Sequence, residues 1–156
     1  MADPSQLLHL WKRLAPLPGG KWLFSRLLGR TARYTGSIKP LVLELKPGKA
    51  VVRMRDRAAV RNHLRSVHAI ALINLGEVST GLATIACLGP GRRGIVTRLS
   101  MSYEKKARGP LTATTCFPPP AGDFEGAFTV EANLVDEEGD VVAVATAEWT
   151  IGNKPT

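Results

Sequence analysis

The sequence predicts an α+β domain in which a curved antiparallel sheet wraps around one long buried helix. The run from Ala69 to Cys87 contains no proline, carries a single ionisable side chain, Glu77, and places apolar residues on every side, which is typical of a buried helix. At about 1.5 Å per residue this helix spans roughly 28 Å, enough to cross a small domain. Most of the flanking sequence alternates apolar and polar residues between Pro-Gly turn signals, which predicts strands. One apolar helix on one antiparallel sheet gives the α+β class.

Two amphipathic helices are expected before the sheet begins. Leu7, Trp11 and Leu14 recur at i, i+4 and i+7 within residues 4–14, and a second helical stretch covers residues 21–30. We favour packing of both helices on the main body, because such a stripe most often faces a core. A basic surface helix that contacts lipid, or a lid over a pocket, stays open as an alternative.

Six strands are predicted, two before the long helix and four after it. Hairpin-length links among the last four imply an antiparallel meander. In the first of these four, strict alternation places Ile95, Thr97 and Leu99 on one face. The chain is divided into an N-terminal helical arm, residues 1–35, and a single sheet domain, residues 36–152. The predicted strands cover residues 36–46, 49–55, 93–104, 111–117, 124–135 and 141–151.

Length and cysteine usage bound the class of protein. A chain of 156 residues suits one domain with a substantial core. Two cysteines in apolar contexts and the lack of a signal-peptide pattern lead us to expect a reducing, cytoplasmic location. We expect no integral membrane segment, because the mid-helix carboxylate of Glu77 is costly in lipid.

Positive charge is concentrated in the first part of the chain. Residues 1–65 hold 14 Lys/Arg against 3 Asp/Glu, whereas residues 122–156 hold 1 against 8, and the total is +8. This excess favours a polyanionic partner, which is nucleic acid, an anionic membrane surface or a phosphate-bearing ligand. Aromatic side chains suited to base stacking are few, so we expect no nucleic acid partner.

A few residues that could take part in catalysis or ligand binding remain after the common motifs are excluded. The sequence has no nucleophile elbow, no P-loop, no dinucleotide-binding glycine motif and no Cys/His set at metal-ligand spacing. What remains is Asn62, His68, Glu77 and the basic segment at residues 105–109. Each group alone has an ordinary structural explanation, such as a helix-terminal histidine or a solvated loop, and Glu77 alone suits a structural carboxylate packed against Arg98 or His63.

Together these residues resemble the hotdog-fold acyl-CoA thioesterases, in particular the phenylacetate-pathway-like branch and its uncharacterised DUF4442-type relatives. That family has an asparagine, six residues later a histidine at the start of the central helix, and nine residues after it an acidic residue. Asn62, His68 and Glu77 reproduce both spacings. The resemblance covers about residues 36–151, and the N-terminal arm lies outside it.

One departure from the family pattern affects the substrate site. The family usually has His-Gly-Gly, whereas this chain has His68-Ala69-Ile70. Ala69 still supplies a backbone N–H, but Ile70 narrows the space for a substrate. A catalytically silent acyl-CoA binder therefore stays open beside the enzyme.

The resemblance implies hydrolysis of an acyl-CoA or acyl carrier protein thioester, with no metal or redox cofactor. Glu77 is expected to act as general base or nucleophile, with a pKa raised by burial. The N–H of Ala69, at the positive end of the helix dipole, suits the oxyanion. His68 is expected to orient the thioester, and Asn62 to hold a water or the carbonyl. The expected contacts to coenzyme A phosphates come from Lys105, Lys106, Arg108 and Gly109.

Helix geometry predicts that the site is shared between subunits. Nine residues at about 100° each turn through roughly 900°, which places Glu77 opposite His68 and about 13 Å along the axis. Two antiparallel helices packed side by side bring the two groups together. We therefore expect a homodimer, with a homotetramer as the larger assembly that stays open.

Overall fold

The computed structural model describes residues 4–121 and 124–154, and within them it confirms a curved antiparallel sheet around one long helix. A short 3₁₀ turn, Ala58–Val60, precedes the long helix. The elements are α1 Pro4–Leu14, α2 Gly20–Thr31, α3 Arg33–Ser37, β1 Leu41–Lys46, β2 Lys49–Met54, α4 Ala69–Ile85, β3 Arg92–Tyr103, β4 Leu111–Cys116, β5 Gly126–Val135 and β6 Val141–Asn153.

The strand order corrects the predicted meander. The six strands lie in the order β1-β2-β4-β5-β6-β3, and all described pairs are antiparallel. Strands β4, β5 and β6 do form a meander, but β3 pairs with β6 at the far edge instead of with β4. The seven residues between β3 and β4 reach about 23 Å when extended, which exceeds the roughly 14 Å across three strand spacings. A link of hairpin length therefore does not force β3 to pair with β4.

A β-bulge in β3 also corrects the predicted alternation. The register of β3 on β6 shifts between Val96 and Arg98. Ile95 pairs with exposed Thr150 and is 48% exposed, whereas Val96 pairs with Trp149 and packs beside it. The extra residue moves the first half of the strand to the other face, which strict period-two reasoning cannot detect.

The segment predicted as the start of the first strand is helical instead. Residues 33–37 form α3, and β1 begins at Leu41 rather than residue 36. A Cβ on Gly36 would lie 2.4 Å from the carbonyl oxygen of Gly29. The two glycines therefore let α3 pack directly on α2, and this tertiary contact overrides the local pattern.

The arm packs on the body as predicted. Trp11 and Phe24 are buried, and their rings meet edge to face at 5.0 Å. The hydroxyl of Ser25 accepts a hydrogen bond from the N–H of Val42 at 2.9 Å, and Lys21 Nζ donates to the carbonyl of Leu43 at 2.8 Å. Helix α2 therefore covers the β1 edge of the sheet.

Helix α4 is enclosed by the sheet along most of its length. Twelve of its 17 residues are buried, and a Cβ on Gly76 would lie 2.3 Å from Cβ of Ala145 on β6. Small residues on both elements therefore set how closely the helix and sheet approach. Within the described residues, no helix is long and apolar enough to cross a membrane.

The Gly76 contact generates a stability prediction. Gly76→Ala should lower the free energy of unfolding by about 1–3 kcal/mol, because the new methyl overpacks the α4–β6 contact. Urea denaturation followed by circular dichroism measures the change. Gly89→Ala is the matched control, since a Cβ there has no neighbour within 4 Å. Equal stability of the two variants would show that α4 can shift without cost.

Candidate functional site

His68 caps the N-terminus of α4 with its own side chain. Its backbone is extended (φ −66°, ψ 140°), and Nδ1 accepts a hydrogen bond from the N–H of Ile70 at 3.1 Å. Its carbonyl accepts from the N–H groups of Ala71 and Leu72. In the part of the chain that the structure describes, the N–H of Ala69 has no acceptor. This free donor at the positive end of the helix suits a developing oxyanion.

The Nδ1 contact also determines the tautomer of the neutral His68 ring. Because Nδ1 accepts a hydrogen bond, the ring proton lies on Nε2. The imidazole is exposed, and Nε2–H is the ring donor that remains available to a ligand.

Asn62 builds the turn that leads into the helix. Its Oδ1 accepts hydrogen bonds from the N–H groups of Leu64 and Ser66 at 2.9 and 3.1 Å. Its own N–H donates to the carbonyl of Ser66 at 2.8 Å. Arg65, inside this turn, has a left-handed backbone with φ of 56°. The oxygen of Asn62 is therefore occupied, and its Nδ2 is the group left for a water or a carbonyl.

One backbone hydrogen bond joins the basic segment after β3 to this turn, and a second joins the start of α4 to the 3₁₀ turn before it. The N–H of Val67 donates to the carbonyl of Ala107 at 2.9 Å, and the N–H of His68 donates to the carbonyl of Val60 at 2.8 Å. The structure therefore brings residues 105–109 to the Asn62 turn and the α4 N-terminus, although more than 30 residues separate this segment from them in sequence.

Asp56 is a site residue that sequence reasoning missed. Its Oδ1 accepts from Nε of Arg61 at 2.7 Å, and its Oδ2 accepts from the N–H of Gly109 at 3.0 Å. The hydrogen bond from Arg61 lowers the pKa of this carboxyl, with a further contribution from Gly109. The only sequence signal was a single acid within the basic run at residues 53–57.

The predicted coenzyme A contacts divide into two groups. Lys105 Nζ lies 2.8 Å from Oδ2 of Asp136 and 2.6 Å from Oδ2 of Asp140, and these hydrogen bonds raise the pKa of Lys105. The N–H of Gly109 is likewise occupied by Asp56. By contrast, the side chains of Lys106 and Arg108 are exposed, and neither forms an ion pair or hydrogen bond within residues 4–121 and 124–154. These two charges are free for an anionic ligand.

Glu77 lies on the one face of α4 that the sheet leaves partly open. At 100° per residue it shares that face with Ile70 and Ile73, and Ile70 is 51% exposed. Burial raises the pKa of the Glu77 carboxyl, in the direction expected from its sequence context. A Cβ on Gly81 would lie 3.8 Å from Oε1 of Glu77 and 3.1 Å from the indole ring of Trp149, so the carboxylate and the indole approach the same glycine.

Within the described chain, no hydrogen bond or ion pair reaches the carboxylate of Glu77. The sequence also allowed Glu77 to be a structural carboxylate packed against Arg98 or His63. Nη1 of Arg98 lies 3.6 Å from Oε1 of Glu148 instead. A carboxylate that is partly buried without a countercharge is destabilising unless a ligand or a partner compensates it.

Glu77 and His68 are not brought together within this chain. Eight helical residues separate them, or about 13 Å along the axis. His68 is the N-cap and not a helical residue, so the predicted rotation of roughly 900° about the helix axis does not apply to it. The separation of Glu77 from His68 therefore depends on the distance along the axis. Tyr103, also missed, lies at the His68 end, where its hydroxyl donates to the carbonyl of Ala69 at 3.4 Å.

The family model described as a domain of unknown function, DUF4442, matches residues 20–151. The chain belongs to this family. The match begins at α2, so α2 and α3 lie within the span that the family model covers. No protein with a curated description matches the sequence.

Solved structures show that the architecture is the hotdog fold. The protein crystallised as genomics APC5556 is 29% identical with a TM-score of 0.82, over 97% of this chain and 99% of that chain. PA5026 of Pseudomonas aeruginosa, named a probable thioesterase, is 22% identical with a TM-score of 0.75, over 88% and 97%. A mutant of the phenylacetic acid degradation protein PaaI of Thermus thermophilus is 22% identical with a TM-score of 0.64, over 76% and 97%.

The contacts of Asp56 generate a prediction about stability and pH. Asp56→Asn should lower the free energy of unfolding by about 2 kcal/mol at pH 7, because it removes a charged acceptor shared by Arg61 and Gly109. The pKa of Asp56 is lowered on folding, so its contribution is present above the ordinary pKa of 3.8 and is lost as pH falls through the folded value. Urea denaturation across about pH 2.5–7 should show the difference shrinking toward the acid end.

Asp140→Asn is the matched control for this measurement. Its carboxylate also meets one cation but is 62% exposed, so its loss should cost less than about 1 kcal/mol. Equal stability of the two variants would show that Asp56 does not stabilise the contact between Arg61 and the segment that contains Gly109.

Proposed function

We propose that the protein is a thioesterase that hydrolyses an acyl-CoA or acyl carrier protein thioester. The observation that carries this proposal is the Glu77 carboxylate, partly buried and without a countercharge in the described chain, on the open face of a helix whose N-terminal N–H is free. Membership of the DUF4442 family and the hotdog fold are consistent with it. The name of PA5026 as a probable thioesterase points the same way.

The reaction assigns one step to each group. Glu77 takes a proton from water as the water oxygen attacks the thioester carbonyl carbon. The carbonyl oxygen gains negative charge and accepts the N–H of Ala69, with Nε2–H of His68 as a second donor. When the carbon–sulfur bond breaks, the thiolate leaves and takes the proton from Glu77. The products are a carboxylic acid and a free thiol.

A site shared by two subunits follows from the distance between these groups. One subunit separates Glu77 from His68 by about 13 Å, and the β3 edge of the sheet is unpaired in the described chain. Antiparallel pairing of two β3 strands about a two-fold axis would continue the sheet and set two α4 helices side by side. The homodimer proposed here places Glu77 of one subunit beside the α4 N-terminus of the other.

Recognition of the coenzyme A phosphates is assigned mainly to Lys106 and Arg108. Both charges are exposed and unpaired within the described residues, and the segment that carries them is hydrogen-bonded to the turn before α4. Lys105 and Gly109 support the segment instead, through Asp136, Asp140 and Asp56. This is a narrower assignment than the sequence pattern allowed.

A silent acyl-CoA binder is the second candidate, and the exposure of Ile70 favours it. Ile70 lies on the same helix face as Glu77 and is 51% exposed, where the family usually has glycine. A branched side chain there narrows the approach of a thioester to Glu77. Such a protein would bind acyl-CoA without releasing a thiol, and Ile70→Gly would then open the site to turnover.

The test of the proposed function begins with acyl-CoA hydrolysis, measured by detection of the released thiol across chain lengths and aryl groups. Glu77→Gln should lower kcat by at least about 10²-fold, because it removes the general base. Since burial raises the pKa of Glu77, kcat/KM of the unaltered protein should fall as pH decreases through a value above the ordinary 4.5. Glu131→Gln, on an exposed carboxylate of β5, is the matched control and should keep full activity.

Two results would contradict this assignment. Normal turnover by Glu77→Gln would remove Glu77 from the reaction. Tight acyl-CoA binding by the unaltered protein with no thiol release from any substrate would favour the silent binder.

A mixing experiment tests the shared site. Glu77→Gln and His68→Ala subunits, each inactive alone, should regain part of the activity when mixed, because one of the two sites in each heterodimer keeps both groups. Different affinity tags and native mass spectrometry measure subunit exchange. Confirmed exchange without recovered activity would show that each site lies within one subunit.

A further inference from the structure

The outward face of α2 carries large apolar side chains beside arginines. Trp22 is 59% exposed and Leu23 is 42% exposed, and both arginines that share this face, Arg26 and Arg30, are exposed. At 100° per residue these four side chains fall within about 100° of each other. The opposite face of the same helix holds Phe24 in the core, so the outward face is a second apolar surface, not a poorly packed part of the first.

The turn between α1 and α2 presents a further exposed apolar side chain. Leu17, in that turn, is 56% exposed. The guanidinium carbon of Arg26 lies 5.5 Å from the centre of the Trp22 ring, an arrangement in which a cation stays near an aromatic ring at a polar–apolar boundary. We call Leu17, Trp22, Leu23, Arg26 and Arg30 the arm face.

An open groove adjoins the arm face on its α1 side. It encloses about 590 Å³ between α1 and α2 and is mostly apolar, although His9 and Arg13 also line it. The residues of α2 in its lining include Leu27, which follows Leu23 by one helical turn. Exposed apolar surface therefore continues from the arm face into the groove.

We propose that the arm face is a docking surface for an anionic phospholipid bilayer. Residues 1–35 hold 6 Lys/Arg against 1 Asp, so the segment that carries the exposed Leu17, Trp22 and Leu23 has a net charge of +5. A helix face with basic side chains around tryptophan and leucine lies in the membrane interface with its apolar groups among the headgroups and upper acyl chains. In the bound state the protein lies on the surface of the bilayer and does not cross it.

Charge complementarity selects this occupant over two others. A second copy of the chain would place two arms of +5 against each other, which is repulsive. Nucleic acid would neutralise the arginines but would leave Leu17 and Leu23 exposed to water, since its backbone offers no apolar surface. Of the three occupants, the anionic lipid surface matches both the charge and the apolar side chains.

The test uses the full chain and vesicles of phosphatidylglycerol and phosphatidylcholine. Trp22 is the reporter, because Trp11 and Trp149 are 7% and 4% exposed. Anionic vesicles should sediment the protein and shift its tryptophan emission to shorter wavelength, and vesicles of phosphatidylcholine alone should do neither. Trp22→Phe should abolish the shift. Absence of binding to anionic vesicles would overturn the proposal.

Matched variants separate the arm face from general charge attraction. Arg26→Gln with Arg30→Gln should lower the vesicle partition coefficient at least about tenfold, and Leu17→Ser with Leu23→Ser should do the same while Trp22 remains as reporter. Lys106→Gln with Arg108→Gln removes two exposed charges from the body of the protein and should change the vesicle partition coefficient less than about threefold. An equal loss in this control, or an equal emission shift with duplex DNA, would overturn the proposal. These measurements do not depend on thioester hydrolysis.

Discussion

The close approach of α4 to the sheet is the constraint on which the rest of the structure depends. Gly76 leaves no room for a side chain against Ala145, and the inward positions of β6 beside it, Ala143 and Ala147, are also small and fully buried. Small residues on both surfaces let an apolar helix lie deep inside a curled sheet, where apolar area is removed from water on nearly every side. A larger side chain at this contact would push the helix outward and open the curve of the sheet.

Enclosing the helix decides where chemistry can occur. Backbone groups in the middle of α4 are bonded within the helix, so free donors exist only at its N-terminus, and the loops that meet there come from distant parts of the chain. The one open face of α4 carries Ile70, Ile73 and Glu77. A carboxylate on that face lowers the stability of the chain at neutral pH, because burial disfavours its charge. Such a cost is typical of functional sites.

The arm serves the fold and presents a separate surface. One face of α2 places Phe24 in the core and covers the β1 edge, while the opposite face leaves Trp22 and Leu23 in solvent beside Arg26. The predicted packing of the arm on the body is confirmed for one face of α2, and contact of the outward face with lipid stays a prediction. The proposed lipid contact and the proposed thioester site lie on different elements, so each can fail without the other.

The sequence by itself determined the α+β class, the extent of α4 to within two residues, the approximate position of most strands and the raised pKa of Glu77. These features depend on the local spacing of apolar residues and on the lack of charges other than Glu77 in one segment. Both can be read directly from the sequence. Tertiary structure alone decided that β3 crosses to β6, that a bulge turns Ile95 outward, and that α3 replaces the start of the first strand. It also decided that Lys105 is occupied by Asp136 and Asp140. Each of these outcomes depends on partners distant in sequence, whose proximity exists only after the sheet has curled around the helix.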